Sequence, residues 1–159
     1  MAHADIAKGM LRHLPLIAAL ALCLQLRPAS AGDPDPKVME FRLPKDLQFK
    51  GTTGEGAENI VLFGDPDKPG MYGVLTKWGP HKMSRPHFHP NDRYIYVVSG
   101  TWWLGWGPHY DPASTYPVPT GTYVHHFGKQ IHYDGAKDQA CVLYIVGMGP
   151  ATATPAEQK

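Results

Sequence analysis

The residues of this 159-residue chain best suited to chemistry are its nine histidines, and they are unevenly spread. His87 and His89 stand two apart in the run RPHFHPNDRYIYVVSG. In an extended backbone, alternation turns both imidazoles to one face of the strand, close enough to share one metal ion. An H-x-H pair alone reads more often as two half-exposed strand histidines, so a metal centre needs a third ligand from elsewhere. Neutral imidazole is the commonest protein ligand for first-row transition ions, and three of them leave coordination positions open for substrate. With His3 and His13 set apart near the N-terminus, all the others fall between His81 and His132. His125 and His126 are adjacent, so on a strand at most one of them faces the cavity. That one would serve as an acid, a base or an extra ligand.

Short apolar or alternating runs must position these groups. They are VMEFRL (residues 38–43), NIVLF (59–63), YGVLTKW (72–78), YIYVVSG (94–100), TWWLGW (101–106), TYVHHF (122–127) and CVLYIVG (141–147). All are rich in Val, Ile, Tyr or Trp and are separated by Gly, Pro, Asp and Asn clusters such as GDPDKPG (64–70). No stretch after Gly32 shows a sustained helical period with caps. The 17 glycines and 16 prolines fit a turn-rich protein without a collagen repeat. The reading is all-β, with a sandwich or small barrel closing so many short strands.

The N-terminal 31 residues carry Lys8 and Arg12, an apolar run from Leu14 to Leu26, and the small-x-small triplet Ala29, Ser30, Ala31. This is the three-part pattern of a secretory signal peptide cleaved before Gly32, and the apolar run is short for a retained membrane anchor. Removing it takes Lys8, Arg12, Arg27 and Asp5 from the totals of 15 basic and 14 acidic residues and leaves a charge of −1. Neither the whole chain at +1 nor the processed one has the basic excess that a nucleic-acid binder needs. Processing also leaves Cys141 as the lone cysteine, expected to pack as a small apolar residue, so no internal disulfide can form. The organisation expected is a signal peptide (1–31), a disordered leader (32–37), one domain (38–150) and a disordered tail (151–159).

The histidine spacing resembles that of the cupin superfamily, small β-barrels with two motifs, approximately G-x5-H-x-H-x3 or 4-E-x6-G and G-x5-P-x-G-x2-H-x3-N. His87, His89 and Gly100 match the first, although His81 stands where its initial glycine should be and Gly79 is the nearest. Arg93 occupies the glutamate position. The second motif can be laid from Gly121 through TYVHH, with Phe127, Gly128 and Lys129 in place of P-x-G, to His132. The resemblance covers roughly residues 70–147. It implies a double-stranded β-helix (jelly-roll) barrel and one divalent transition metal ion, Fe, Mn or Cu with Zn or Ni also admissible, held by His87, His89 and His132.

Arg93 departs most from that pattern. A guanidinium cannot ligate a metal and repels a divalent ion unless an anion lies between them. Either Arg93 turns inward to hold a carboxylate or other anionic group of a substrate or to stabilise metal-bound superoxide, or it turns outward and pairs with Asp92 or another acid. A three-histidine set without the glutamate is similar to that of thiol dioxygenases within the superfamily. The expected function is an exported mononuclear metal-dependent oxidoreductase, of oxygenase or oxidase type, acting on an organic-acid, aromatic or carbohydrate-derived substrate. Arg93, His126 and Tyr133 are the candidate catalytic residues, and Asp134, sharing the parity of His132, is a candidate to orient it. The alternatives are a metal-dependent isomerase or lyase and a non-catalytic ligand-binding barrel. Trp102 and Trp106 share one face of TWWLGW and Trp103 takes the other, as core and dimer interface or as a stacking platform for substrate. His109, Tyr110 and Tyr116 are expected near the barrel mouth. The partners expected are a small-molecule or carbohydrate-derived substrate and a second copy of the chain, with no nucleic acid and no membrane anchor after processing.

Overall fold

The computed structural model describes residues 32–33, 35–52 and 56–159. The expected signal peptide lies outside them, and no helix among them is long and apolar enough to cross a membrane. The chain divides into a short unit ending at Glu40 and a folded unit, Phe41–Lys159. In the first, where the leader was expected to be disordered, Asp35 anchors a turn. Its backbone oxygen accepts from Val38 N and Met39 N, and its carboxylate accepts from Lys37 N.

The folded unit contains β1 (Lys50–Thr52), β2 (Ala57–Phe63), β3 (Gly70–Trp78), β4 (His87–Phe88), β5 (Arg93–Ser99) and β6 (Thr101–Trp106). After these come β7 (Tyr116–Pro119), β8 (Tyr123–His126), β9 (His132–Gly135), β10 (Cys141–Gly149) and β11 (Thr154–Pro155). One sheet runs β1-β2-β3-β10-β5-β8 and the other β11-β4-β9-β6-β7, and the paired strands are antiparallel. The first apolar run, residues 38–43, forms no strand.

Alternation in β3, β5 and β10 sends one set of side chains between the sheets: Tyr72, Val74 and Trp78, Ile95 and Val97, and Cys141, Leu143 and Ile145. Trp102 meets them from β6, fully buried, whereas Trp106 at the end of the same strand is 71% exposed. Each such side chain taken out of water contributes about 1.5–3 kcal/mol. Gly100 turns the corner between β5 in one sheet and β6 in the other at φ +75°, where a Cβ would lie 2.3 Å from the Ala140 carbonyl oxygen. Only glycine meets both demands.

The C-terminal tail is a correction to the sequence reading. Rather than being disordered, residues 151–159 form a strap in which Thr154 and Pro155 pair with Phe88 and His87 of β4. Ala156 N donates to Pro86 O at 2.8 Å, Gln158 N to Pro108 O at 2.9 Å, and Glu157 pairs with Arg85. The polar composition that signalled disorder does not show the unpaired edge of β4, which the tail covers and satisfies.

Candidate metal centre

The candidate centre draws on both sheets. β4 presents His87, the turn after it presents His89, and β9 presents His132, which is the cross-strand partner of His87. From the other sheet, β5 brings Arg93 and β8 brings His126, again as cross-strand partners. His87, His89 and His132 are all buried, and one ring nitrogen of each lies within 4.8 Å of the others.

Backbone carbonyls determine the tautomer of each ring. His87 Nδ1 lies 2.8 Å from Arg85 O, and His132 Nδ1 lies 3.0 Å from Gln130 O. His89 Nδ1 lies 3.1 Å from Thr152 O and 3.3 Å from Ala151 O. A carbonyl only accepts, so each Nδ1 carries the proton and each Nε2 keeps its lone pair. The Nε2 atoms of His87 and His89 are 3.1 Å apart. Two ligands about 2.0–2.1 Å from one ion stand roughly 3.0–3.4 Å apart, so this pair has the spacing of a shared cation. Burial, followed by the nearby Arg93 charge, pushes His89 down to about 2. Burial also lowers His132, against the raising effect of Asp134, to about 4. Neutral imidazoles with lone pairs directed inward are the form a metal ion requires, so the donor set fits one.

Arg93 points inward. Its Nη2 lies 3.1 Å from both His126 Nδ1 and His132 Nε2, and since a guanidinium can only donate, both rings accept from it. Its Nε is sealed from solvent without a partner. The outward alternative is excluded because Asp92 is engaged elsewhere, accepting from Gly128 N at 2.8 Å and meeting His125 Nε2 at 2.9 Å. Of the adjacent histidines, His126 therefore faces the cluster, 4.3 Å from the His132 ring, and His125 faces away and stacks on Tyr94. Burial holds His126 far below the usual imidazole range. Its Nδ1 accepts a hydrogen bond from Arg93.

Beneath the cluster, Asp134 is buried and accepts from Trp102 Nε1 at 2.8 Å and Ser84 Oγ at 3.3 Å. It does not orient His132, whose Nδ1 bonds Gln130 O instead. Tyr133 is a second correction. One residue from His132, it takes the opposite face of β9, packs against Gly105, and ties its hydroxyl to Asp111 O at 3.0 Å. It braces the loop and does not join the cluster. His109 is exposed, and so is His81, whose Nδ1 lies 4.0 Å from Asp138. The Cys141 thiol packs in the core, pushed up to about 12 by burial. A cavity of about 300 Å³ opens from the cluster between the sheets, its walls including Tyr72, Trp78, Trp102, Leu143 and Ile145. The sequence reading missed the carbonyls of Arg85, Gln130, Ala151 and Thr152. Backbone acceptors leave no signature in residue type, although two of them lie at the same offset, two residues before the histidine they orient.

No protein-family model matches the chain, and neither does a curated protein. Among solved structures, the polyketide cyclase RemF from Streptomyces resistomycificus aligns with a TM-score of 0.60 at 20% identity, over 76% of this chain and 87% of that one. A cupin-like protein from Thermotoga maritima aligns at 0.55 and 12% identity, over 70% and 88% of the two chains. The fold is that of a cupin. KdgF from Halomonas sp. shares it at a TM-score of 0.53 and 14% identity, over 70% of this chain and 94% of that one. Within this fold, His87, His89 and His132 come together in one buried group, and Arg93 reaches it through His132.

Proposed function

We propose that this cupin is a metal-dependent enzyme in which His87, His89 and His132 hold one divalent transition metal ion and the barrel takes a small organic substrate. The observation that carries this reading is the set of three buried imidazoles, each with Nδ1 held by a backbone carbonyl and its Nε2 lone pair turned toward the others. A bound ion would supply Lewis acidity toward a carbonyl or carboxylate oxygen, undiminished by any anionic protein ligand. The chain's own residues supply the surroundings. Tyr72, Trp78, Trp102, Leu143 and Ile145 make an apolar wall that keeps water from the substrate. Arg93 contributes a permanent cation beside the ligands, and His126 holds that guanidinium in place.

Polarisation without net oxidation, as in an isomerase, lyase or cyclase, is the chemistry this arrangement favours. One of the neighbours reported above is named a cyclase, and none of them carries an oxidoreductase name. The oxidoreductase expectation is the competing outcome, since three imidazoles also leave positions for O2. Imidazole suits Fe, Mn, Cu, Zn and Ni alike, so the donor set does not rank them.

Metal analysis of the purified protein tests the site. Bound ion is expected in the wild type and in His109→Ala but not in His132→Ala, and equal loading of all three would overturn it. A panel of small organic acids then tests the chemistry. Turnover without oxygen consumption supports polarisation, and substrate-dependent O2 uptake would replace it with the oxidoreductase reading.

A further inference from the structure

Resting on the metal reading above, we propose that Arg93 makes metal binding and anion binding mutually dependent: the ion must take from Arg93 the lone pair of His132, and the released guanidinium is satisfied by a small carboxylate that enters the barrel. His132 Nδ1 gives its proton to Gln130 O, so Nε2 is the only lone pair the ring has to offer. The Arg93 Nη2 group already donates to that atom at 3.1 Å. One lone pair cannot serve an N–H donor and a metal ion at the same time. A bound ion would therefore displace this bond and, among the described residues, leave the guanidinium the contact to His126 as its side-chain hydrogen bond, with its Nε unpartnered.

Among the described residues, no carboxylate hydrogen-bonds Arg93, although Asp134 is close enough for its charge to act on the guanidinium. Asp134 accepts from Trp102 and Ser84, Asp92 is held by Gly128 and His125, and Asp67 lies exposed at the cavity rim. A carboxylate bonded directly to the guanidinium fork would therefore have to come from outside the protein. A planar carboxylate matches the guanidinium fork and also offers an oxygen to the ion. The cavity of about 300 Å³ with aromatic walls restricts it to a small, preferably flat, acid. Linkage makes the coupling reciprocal, so the anion tightens the metal by the same factor as the metal tightens the anion.

The test is a titration of the full chain with Co2+, followed by its visible spectrum, in chloride buffer and then with formate, acetate or benzoate at matched ionic strength. In the wild type, at least one of these acids is expected to tighten Co2+ by about tenfold, the middle of the usual range for coupled sites. Arg93→Met should bind Co2+ tightly without any acid and show no dependence on it. Co2+ binding that no acid alters in the wild type overturns the coupling while leaving the metal reading intact, and no Co2+ binding under any condition overturns both. Should Arg93→Met fail to fold, the wild-type titration decides alone, and Arg93→Lys, which keeps the charge but not the fork, should lose most of the acid effect.

Discussion

Trp102 does two jobs with one side chain. Its ring is fully buried against the core of the other sheet, and its Nε1 donates to Asp134, a carboxylate bonded among the described residues otherwise only by Ser84. The same ring packs 5.2 Å from His126, which in turn holds Arg93. A buried carboxylate deprived of a donor keeps the cost of having left water. Trp102→Phe is therefore expected to destabilise the protein by about 2 kcal/mol or more. Urea unfolding would measure it, and a loss below about 0.5 kcal/mol would show that Asp134 is satisfied without the indole. At this scale the sequence was informative where side-chain type sets the chemistry. His87, His89, His132 and Arg93 were identified from spacing and resemblance, and all four meet. Tyr133 stays outside the cluster because adjacency to His132 in sequence means the opposite face of β9.

The element that matters most for the site is among the shortest. β4 has two residues, His87 and Phe88, and is held only because β9 and the C-terminal strap flank it. The strap also supplies Ala151 O and Thr152 O, the acceptors that turn His89 Nε2 inward. Deleting residues 151–159 should lower metal affinity by at least about tenfold, as loss of the partner that orients a ligand commonly does, and should lower the melting temperature. Isothermal titration of the truncated chain checks it, and unchanged affinity would show that β4 holds His89 without help. Six of the seven apolar runs identified in the sequence became strands, because alternation and β-branched or aromatic content are local signals. β1, β4, β7, β9 and β11 were not legible as strands. Each is four residues or fewer, and each is stabilised by its neighbours rather than by its own composition.

Across the whole molecule, the segment before Gly32 is compositionally unlike the rest, with its basic start, apolar run and Ala-x-Ala end. Expressed with this segment in a bacterium, the protein should be recovered from the periplasm or medium with Gly32 as its first residue. N-terminal sequencing or intact mass reads this directly, and a retained Met1 in the cell pellet would remove the export reading. Without that segment Cys141 would be the only thiol, and it is buried, so the folded unit would be held by its core without an internal disulfide.

The sequence by itself determined the all-β class, the resemblance to cupins and the identity of the converging histidines, because period-two alternation and residue type are properties of a short stretch of chain. Only the tertiary structure decided which way Arg93 points, that His126 and not His125 shares the cavity, and that the tail is part of the site. Each of those depends on a partner 30 or more residues away: His126 and His132 for Arg93, and the Ala151 and Thr152 carbonyls for His89. A local pattern carries no record of which distant group will satisfy a buried donor, and at this site that pairing sets the chemistry.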